Sequence, residues 1–208
     1  MLAGTMENYF SLAEQYTTQS EPEYCGPASL IMVLNALDID PNKPWKGIWR
    51  WYSEEILHCT TSEVMKRGMT LEQITQLARC NGLHTMTFRP NGAFHYLDQD
   101  LLEHSHNEHI SQSDECCDHT TTQTLHHNTS RAYVAGCDEE LLRTAVLASS
   151  RRQGLHTVVN LSRQTLRQTG DGHFAPIGGF NQKMNQVLLF DTARFKYPPH
   201  WVDLPLLY

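Results

Sequence analysis

The sequence predicts an α+β protein with a helical lobe, an antiparallel β-sheet lobe and a cleft between them. Three observations carry that reading. Apolar residues at helical spacing fill the first half, short apolar runs fill the last third, and a polar segment nearly free of large apolar side chains separates the two. Residues 20–24 read as a loop. After Cys25, Gly26 and Pro27, the run ASLIMVLNAL sets Leu30, Leu34 and Leu37 on one face, which predicts a helix of about ten residues. Pro27 suits the first turn, where its missing N–H costs nothing, and residues 38–41 stop the helix. Cys25 therefore stands at the helix's N-terminal edge. Residues 45–65, rich in Trp and charge, read as a loop with a short helix. In 70–78, Leu71, Ile74 and Leu77 recur three apart, Thr70 with Gln73 forms a capping box, and Gly82 is a natural stop. Residues 138–148 read as one more amphipathic helix, and 157–161, 173–180 and 187–190 as strands.

Composition narrows the function classes. A chain of 208 residues is one domain against a prior of about 150 residues per domain, and its 40% apolar content supplies a core without a disulfide scaffold. The net charge of −7, with no run of Lys or Arg, argues against nucleic acid and against docking on an anionic membrane. The longest apolar stretches, 30–34 and 187–190, fall far short of the roughly 20 residues of a membrane span. The first twenty residues lack the basic and apolar regions of a signal peptide, so a soluble cytoplasmic protein is expected. None of the six cysteines forms a C-x-x-C pair, and in a reducing compartment they are expected to be thiols, with Cys59, Cys80 and Cys137 as packing residues.

Cys25 differs in its local sequence. A cysteine at a helix N-terminus is stabilised as thiolate, the nucleophilic form, by the oriented backbone dipoles. His173, among small residues at the start of a strand, is a candidate base whose ring is expected to be accessible. The polar loop 181–186 joins two strands as a hairpin, and a turn centred near residue 183 sets His173 opposite residue 193, give or take two. Asp191 falls in that window and is a candidate to orient the imidazole. Gln19, six residues before Cys25, is a candidate oxyanion donor beside the Cys25 N–H. Taken singly, each has a plainer reading: a packed helix-start thiol, a surface histidine, a turn or salt-bridge aspartate, an ordinary glutamine. Together they compose an acyl-transfer site.

At these residues the sequence resembles the phytochelatin synthases, the glutathione γ-glutamylcysteinyltransferase family of papain-like cysteine enzymes. The resemblance runs through TQSEPEYCGPASL at 18–30, VLNAL at 33–37, WKG at 45–47 and WRW at 49–51. It resumes in QTG at 168–170, GHF at 172–174, PIGGFN at 176–181, Asp191 and RFKYPPHW at 194–201. It covers residues 5–102 and 131–208, and implies a single papain-like catalytic domain with a helical lobe over 1–102, an insert over 103–130 and a sheet lobe over 131–208. It also implies a chain shorter than family members at both ends. In its terms Cys25 attacks the Cys–Gly bond of glutathione, expels glycine and holds a γ-Glu-Cys thioester that a second glutathione or a phytochelatin accepts. His173 is then base and acid, Asp191 its orienter and Gln19 the oxyanion donor, while Tyr24, Gly26, Arg163, Arg194 and Lys196 bind substrate. No organic cofactor is implied. Heavy-metal ions (Cd2+, Zn2+, Cu2+) enter as activators or as metal–glutathione thiolate substrate, the partners are glutathione and its metal complexes, and the resemblance leaves room for a homodimer.

The insert is richer in histidine than such a family leads one to expect. It holds five acidic residues, no Lys or Arg, and six of the twelve histidines. His104, His106, His109, Cys116 and Cys117 are candidate ligands for a soft cation, although a polar loop is the plainer reading. Two other functions stay open at this point: a glutathione hydrolase releasing γ-Glu-Cys and glycine, and a non-catalytic metal-binding fragment.

Overall fold

A computed structural model describes residues 4–90 and 134–208. Mixed helix and antiparallel sheet are what it contains, as the α+β expectation had it. In chain order come α1 (Tyr9–Glu14), α2 (Cys25–Ala36), α3 (Ser62–Arg67), α4 (Leu71–Cys80), β1 (Thr87–Pro90) and β2 (Val134–Cys137). These are followed by α5 (Glu139–Arg151), β3 (Val158–Ser162), β4 (Gly172–Asn181), β5 (Gln186–Leu189), β6 (His200–Asp203) and a 3-10 turn (Leu204–Leu207). Residues 4–85 and 137–208 pack as one unit, and the described part of a second is the two-stranded pairing of β1 with β2. The insert and the expected boundaries near 102 and 131 lie outside the described residues. Among the described residues no helix is long and apolar enough to cross a membrane.

Helix α2 is the centre of the larger unit. The sequence presents it as one apolar face, but every residue from Gly26 to Asn35 is buried. The reason is that three partners surround it. Leu30, Ile31 and Leu34 pack with Leu77 and Ala78 of α4, Met32 and Val33 with Leu12 of α1 and with Phe190, and Ser29 Oγ donates to the Phe174 carbonyl of β4 at 3.0 Å. Its polar end is satisfied as well: Asn35 accepts from Tyr52 N (3.0 Å) and donates to Tyr52 O (2.9 Å), which fixes the Trp-rich segment against the helix.

The predicted capping box and stop of α4 are present, and α5 has a cap the sequence reading did not name. Thr70 and Gln73 close the capping box of α4, Gly82 follows at φ +91°, and Asp138 caps α5 by accepting from Leu141 N at 2.7 Å. Cys59 and Cys80, expected as packing thiols, are instead joined as a disulfide. Asn81, just past α4, grips the His58 backbone in both directions (3.0 and 3.2 Å), and this brings the two Cα atoms to 6.4 Å, a span that a disulfide bridges.

Strands β3, β4, β5 and β6 form one antiparallel sheet in that order. Its inner face buries Val159, Leu161, Ala175, Ile177 and Val187, with Val146 of α5 in the same cluster. Ile177 pairs with Leu189 and Phe180 with Val187, so the hairpin turns where its loop predicts; a bulge lies between Ile177 and Gly179. Gly178 is required there, because a Cβ would overlap the Phe190 ring. Gly178→Ala should therefore cost about 1–3 kcal/mol by overpacking. An unchanged urea midpoint would mean that the ring has room to move.

Candidate active site

Cys25 is the first residue of α2, so its N–H has no partner within the helix and the helix dipole favours a thiolate there. Burial pushes the Cys25 thiol up, but the hydrogen bond with His173, backbone bonds from Phe174 and Gly26 and the attraction of the imidazole outweigh it and bring the thiol below its ordinary value. His173 is the second residue of β4, whose contact with α2 through Ser29 brings sulfur and ring together. Its ring is 3% exposed, not accessible as the small neighbours suggested. Burial lowers the His173 pKa, yet its bonds to Asp191 and Cys25 prevail and it is raised.

Asp191 follows β5, and its Oδ1 lies 2.7 Å from His173 Nε2. The hairpin argument brought these two residues together correctly. It did not foresee Arg163. The guanidinium donates to both Asp191 oxygens, Nη1 to Oδ2 at 2.9 Å and Nη2 to Oδ1 at 3.0 Å, and Ala193 N adds a third bond at 2.8 Å. Burial would push the Asp191 carboxyl up, but His173, Arg163 and the Ala193 N–H together hold it well below the usual carboxylate range. Tyr16, which burial raises to about 12, stays protonated and donates to the Asp191 carbonyl at 2.6 Å.

Arg163 leaves β3 beside His173's strand, with Arg163 N bonded to Asp171 O at 3.2 Å. At 5% exposure it is a buried partner of Asp191, not a surface charge. Its guanidinium carbon lies 4.7 Å from the Tyr197 ring centroid, and Gly170, at φ +116°, leaves the space a Cβ would take 3.2 Å from Arg163 Cδ. The sequence signal was available: pairing the predicted strands 157–161 and 173–180 sets their connecting turn next to His173.

Gln19 is buried near this centre and accepts from Thr192 Oγ1 at 3.1 Å. Its Nε2, however, donates to the carbonyls of Glu21 (2.9 Å) and Pro22 (2.8 Å), so both amide hydrogens serve the loop that leads to Cys25. Donation to an oxyanion requires one of those bonds to be exchanged. The same loop is held from outside by Glu54, which accepts from Ser20 N and Ser20 Oγ. Tyr24 is the N-cap residue of α2, and Gly26 lies within van der Waals reach of Phe174 and Ile74, with room for a Cβ but little more. Arg194 is exposed, stacks at 4.4 Å on the Tyr16 ring and donates to Tyr16 O; Lys196 is exposed. Among the described residues no three His, Cys, Asp or Glu side chains gather as a metal site, and His104, His106, His109, Cys116 and Cys117 lie outside the described residues.

A thiol of lowered pKa at a helix start, bonded to an imidazole of raised pKa that a charged carboxylate backs, is an arrangement for nucleophilic acyl transfer. A family profile described as phytochelatin synthase matches residues 1–208. The chain belongs to the phytochelatin synthase family. It is 38% identical over 99% of its length to a glutathione gamma-glutamylcysteinyltransferase of Schizosaccharomyces pombe. It is 39% identical to glutathione gamma-glutamylcysteinyltransferase 1 of Triticum aestivum and 38% to number 2 of Arabidopsis thaliana, again over 99% of its length. It spans 39%, 33% and 36% of the lengths of these three relatives.

Three outcomes follow from this geometry. Removing the guanidinium leaves a buried carboxylate with one cationic partner fewer, so Arg163→Met should destabilise the fold by about 3–5 kcal/mol. A variant of unchanged urea stability that bound substrate less well would restore Arg163 to a substrate-binding role. The pH dependence has two signs. Asp191, depressed, contributes stability above the unfolded carboxylate pKa that is lost as pH falls through its folded value; His173, raised, contributes stability below the unfolded imidazole pKa that is lost as pH rises through its own. His173→Ala should move the midpoint of Cys25 alkylation by iodoacetamide upward in pH, and a midpoint that stays put would show that the imidazole does not hold the thiolate.

Proposed function

We propose that the chain carries the acyl-transfer centre of a glutathione γ-glutamylcysteinyltransferase in a papain-like arrangement, a nucleophile on a buried helix facing its base on the sheet. The observation that carries the reading is the 2.7 Å pairing of a buried His173 with Asp191 on the sheet that packs against the start of α2, with the Cys25 thiol lowered and the imidazole raised by their mutual interaction.

The Cys25 thiolate attacks the carbonyl carbon of the Cys–Gly peptide bond of glutathione. The oxygen takes the charge of the tetrahedral intermediate beside the Cys25 N–H, with Gln19 able to assist by exchanging one of its carbonyl bonds. The C–N bond then breaks, His173 gives its proton to the departing glycine amine, and a γ-Glu-Cys thioester remains on Cys25. His173, neutral again, takes a proton from the α-amine of a second glutathione, which attacks the thioester and frees Cys25 as thiolate. Asp191 holds the imidazole's tautomer and stabilises its charged form. Of the three candidate cations, Arg163 is committed to Asp191, and the exposed Arg194 and Lys196 remain to hold glutathione carboxylates, while Tyr24 flanks the nucleophile. Cd2+, Zn2+ or Cu2+ belongs to the substrate in this scheme, as a metal–glutathione thiolate.

Incubating the purified chain with glutathione, with and without Cd2+, and resolving products by mass spectrometry tests the reading. Oligomers of γ-Glu-Cys ending in glycine should form and should vanish with Cys25→Ala, while His173→Ala should slow acylation by roughly 10²–10⁴-fold. Release of γ-Glu-Cys and glycine alone would assign a hydrolase, and product formation independent of Cys25 would remove the proposal.

A further inference from the structure

Beyond Asp191 the polar contacts do not stop. Arg163 Nη1 also donates to Gln168 Oε1 at 2.6 Å, Gln168 Nε2 lies 3.2 Å from His200 Nε2, and His200 Nδ1 lies 2.8 Å from the Pro198 carbonyl. The polarity of this chain is fixed from both ends. A guanidinium only donates, so Gln168 must present its oxygen to Arg163 and its NH2 to His200. A carbonyl only accepts, so His200 must carry its proton on Nδ1 and offer the Nε2 lone pair. The two deductions start from opposite ends and meet at one contact without conflict, which settles an amide orientation and a ring tautomer that distances alone leave open.

We propose that Gln168 and His200 are positioning residues that brace the Arg163 guanidinium against Asp191, and that a second proton on His200 removes the brace. Once both ring nitrogens are donors, Nε2–H meets the Gln168 NH2. Turning the amide over only moves the conflict, because NH2 then faces the guanidinium. No orientation of Gln168 satisfies Arg163 and a charged His200 together. Among the described residues, the other titratable and charged groups in contact with His200 or Gln168 are the Tyr197 phenol, 6.4 Å away between ring centroids on the preceding turn, and, across Gln168, Arg163 itself; the partner of His200 on β5, Leu189, is apolar. Tyr197 is held in turn by Thr169 N, which donates to its hydroxyl at 2.8 Å, so the turn after Arg163 and the turn before β6 are tied at two points.

The link to Cys25 rests on the acyl-transfer reading, whereas the relay's geometry does not, and the two are tested apart. Ring 15N spectra of the labelled chain should give the neutral form of His200 as the Nδ1–H tautomer; an Nε2–H tautomer would overturn the relay whatever the enzyme does. Alkylation of Cys25 by iodoacetamide, followed by peptide mass spectrometry across pH, requires no glutathione chemistry. On the acid side the wild-type chain should show one more ionisation than His200→Gln, whose side chain accepts from Gln168 but does not titrate. Across that inflection the wild-type rate should drop by a further 2- to 10-fold or so, the worth of one hydrogen bond. Gln168→Glu, whose carboxylate accepts from Arg163 and from charged His200 alike, should abolish the extra inflection too. Superimposable acid limbs for wild type and both variants would show that the relay does not reach the nucleophile.

Discussion

A buried carboxylate must be kept charged, and the larger unit is arranged around that requirement. Asp191 sits 2% exposed, where an unpaired charge would cost several kcal/mol. It is tolerated because both oxygens are filled from three directions: the guanidinium from the β3–β4 turn, the imidazole from β4 and the Ala193 N–H from its own loop. Each donor comes from a different piece of chain, so the pairing of β3, β4 and β5 is also the assembly of the carboxylate's shell. The tyrosine of the segment after α1 closes it by binding the Asp191 carbonyl.

Cys25 is held by an opposite device. Helix α2 carries almost no charge and is buried on all sides, so apolar packing fixes its axis and leaves Cys25 no freedom except at the end where the backbone N–H groups point. The thiolate is then stabilised by what the helix start and the imidazole supply together. A rigid apolar rod sets the position of the sulfur and the polar cluster around Asp191 sets the position of the imidazole; their meeting point is the Ser29 to Phe174 contact, four residues beyond Cys25 and one beyond His173.

This arrangement also explains why two basic residues that look alike in sequence differ in place. Arg163 and Arg194 both stack on a tyrosine, but Arg163 is enclosed by the turn that Gly170 opens, whereas Arg194 follows the Asp191 loop outward. One is spent on holding a carboxylate of the protein, and the other stays at the surface against Tyr16.

Local signals were legible wherever a short stretch of chain meets its own need: the capping box of Thr70 and Gln73, the helix after Cys25, and the hairpin around residue 183 that set Asp191 beside His173. The sequence by itself thus determined the types of the longer elements, the place of Cys25 at a helix start and the pairing of His173 with Asp191, because those depend on spacings of a few residues, whereas α1, β1, β2 and β6 carried too short a pattern to be read. The burial of α2 on every side, the pairing of Cys59 with Cys80, the commitment of Arg163 to Asp191 and the engagement of Gln19 with its own loop were decided only by tertiary structure. Each joins groups that either lie far apart in the chain or have several partners within reach, and only packing selects among them.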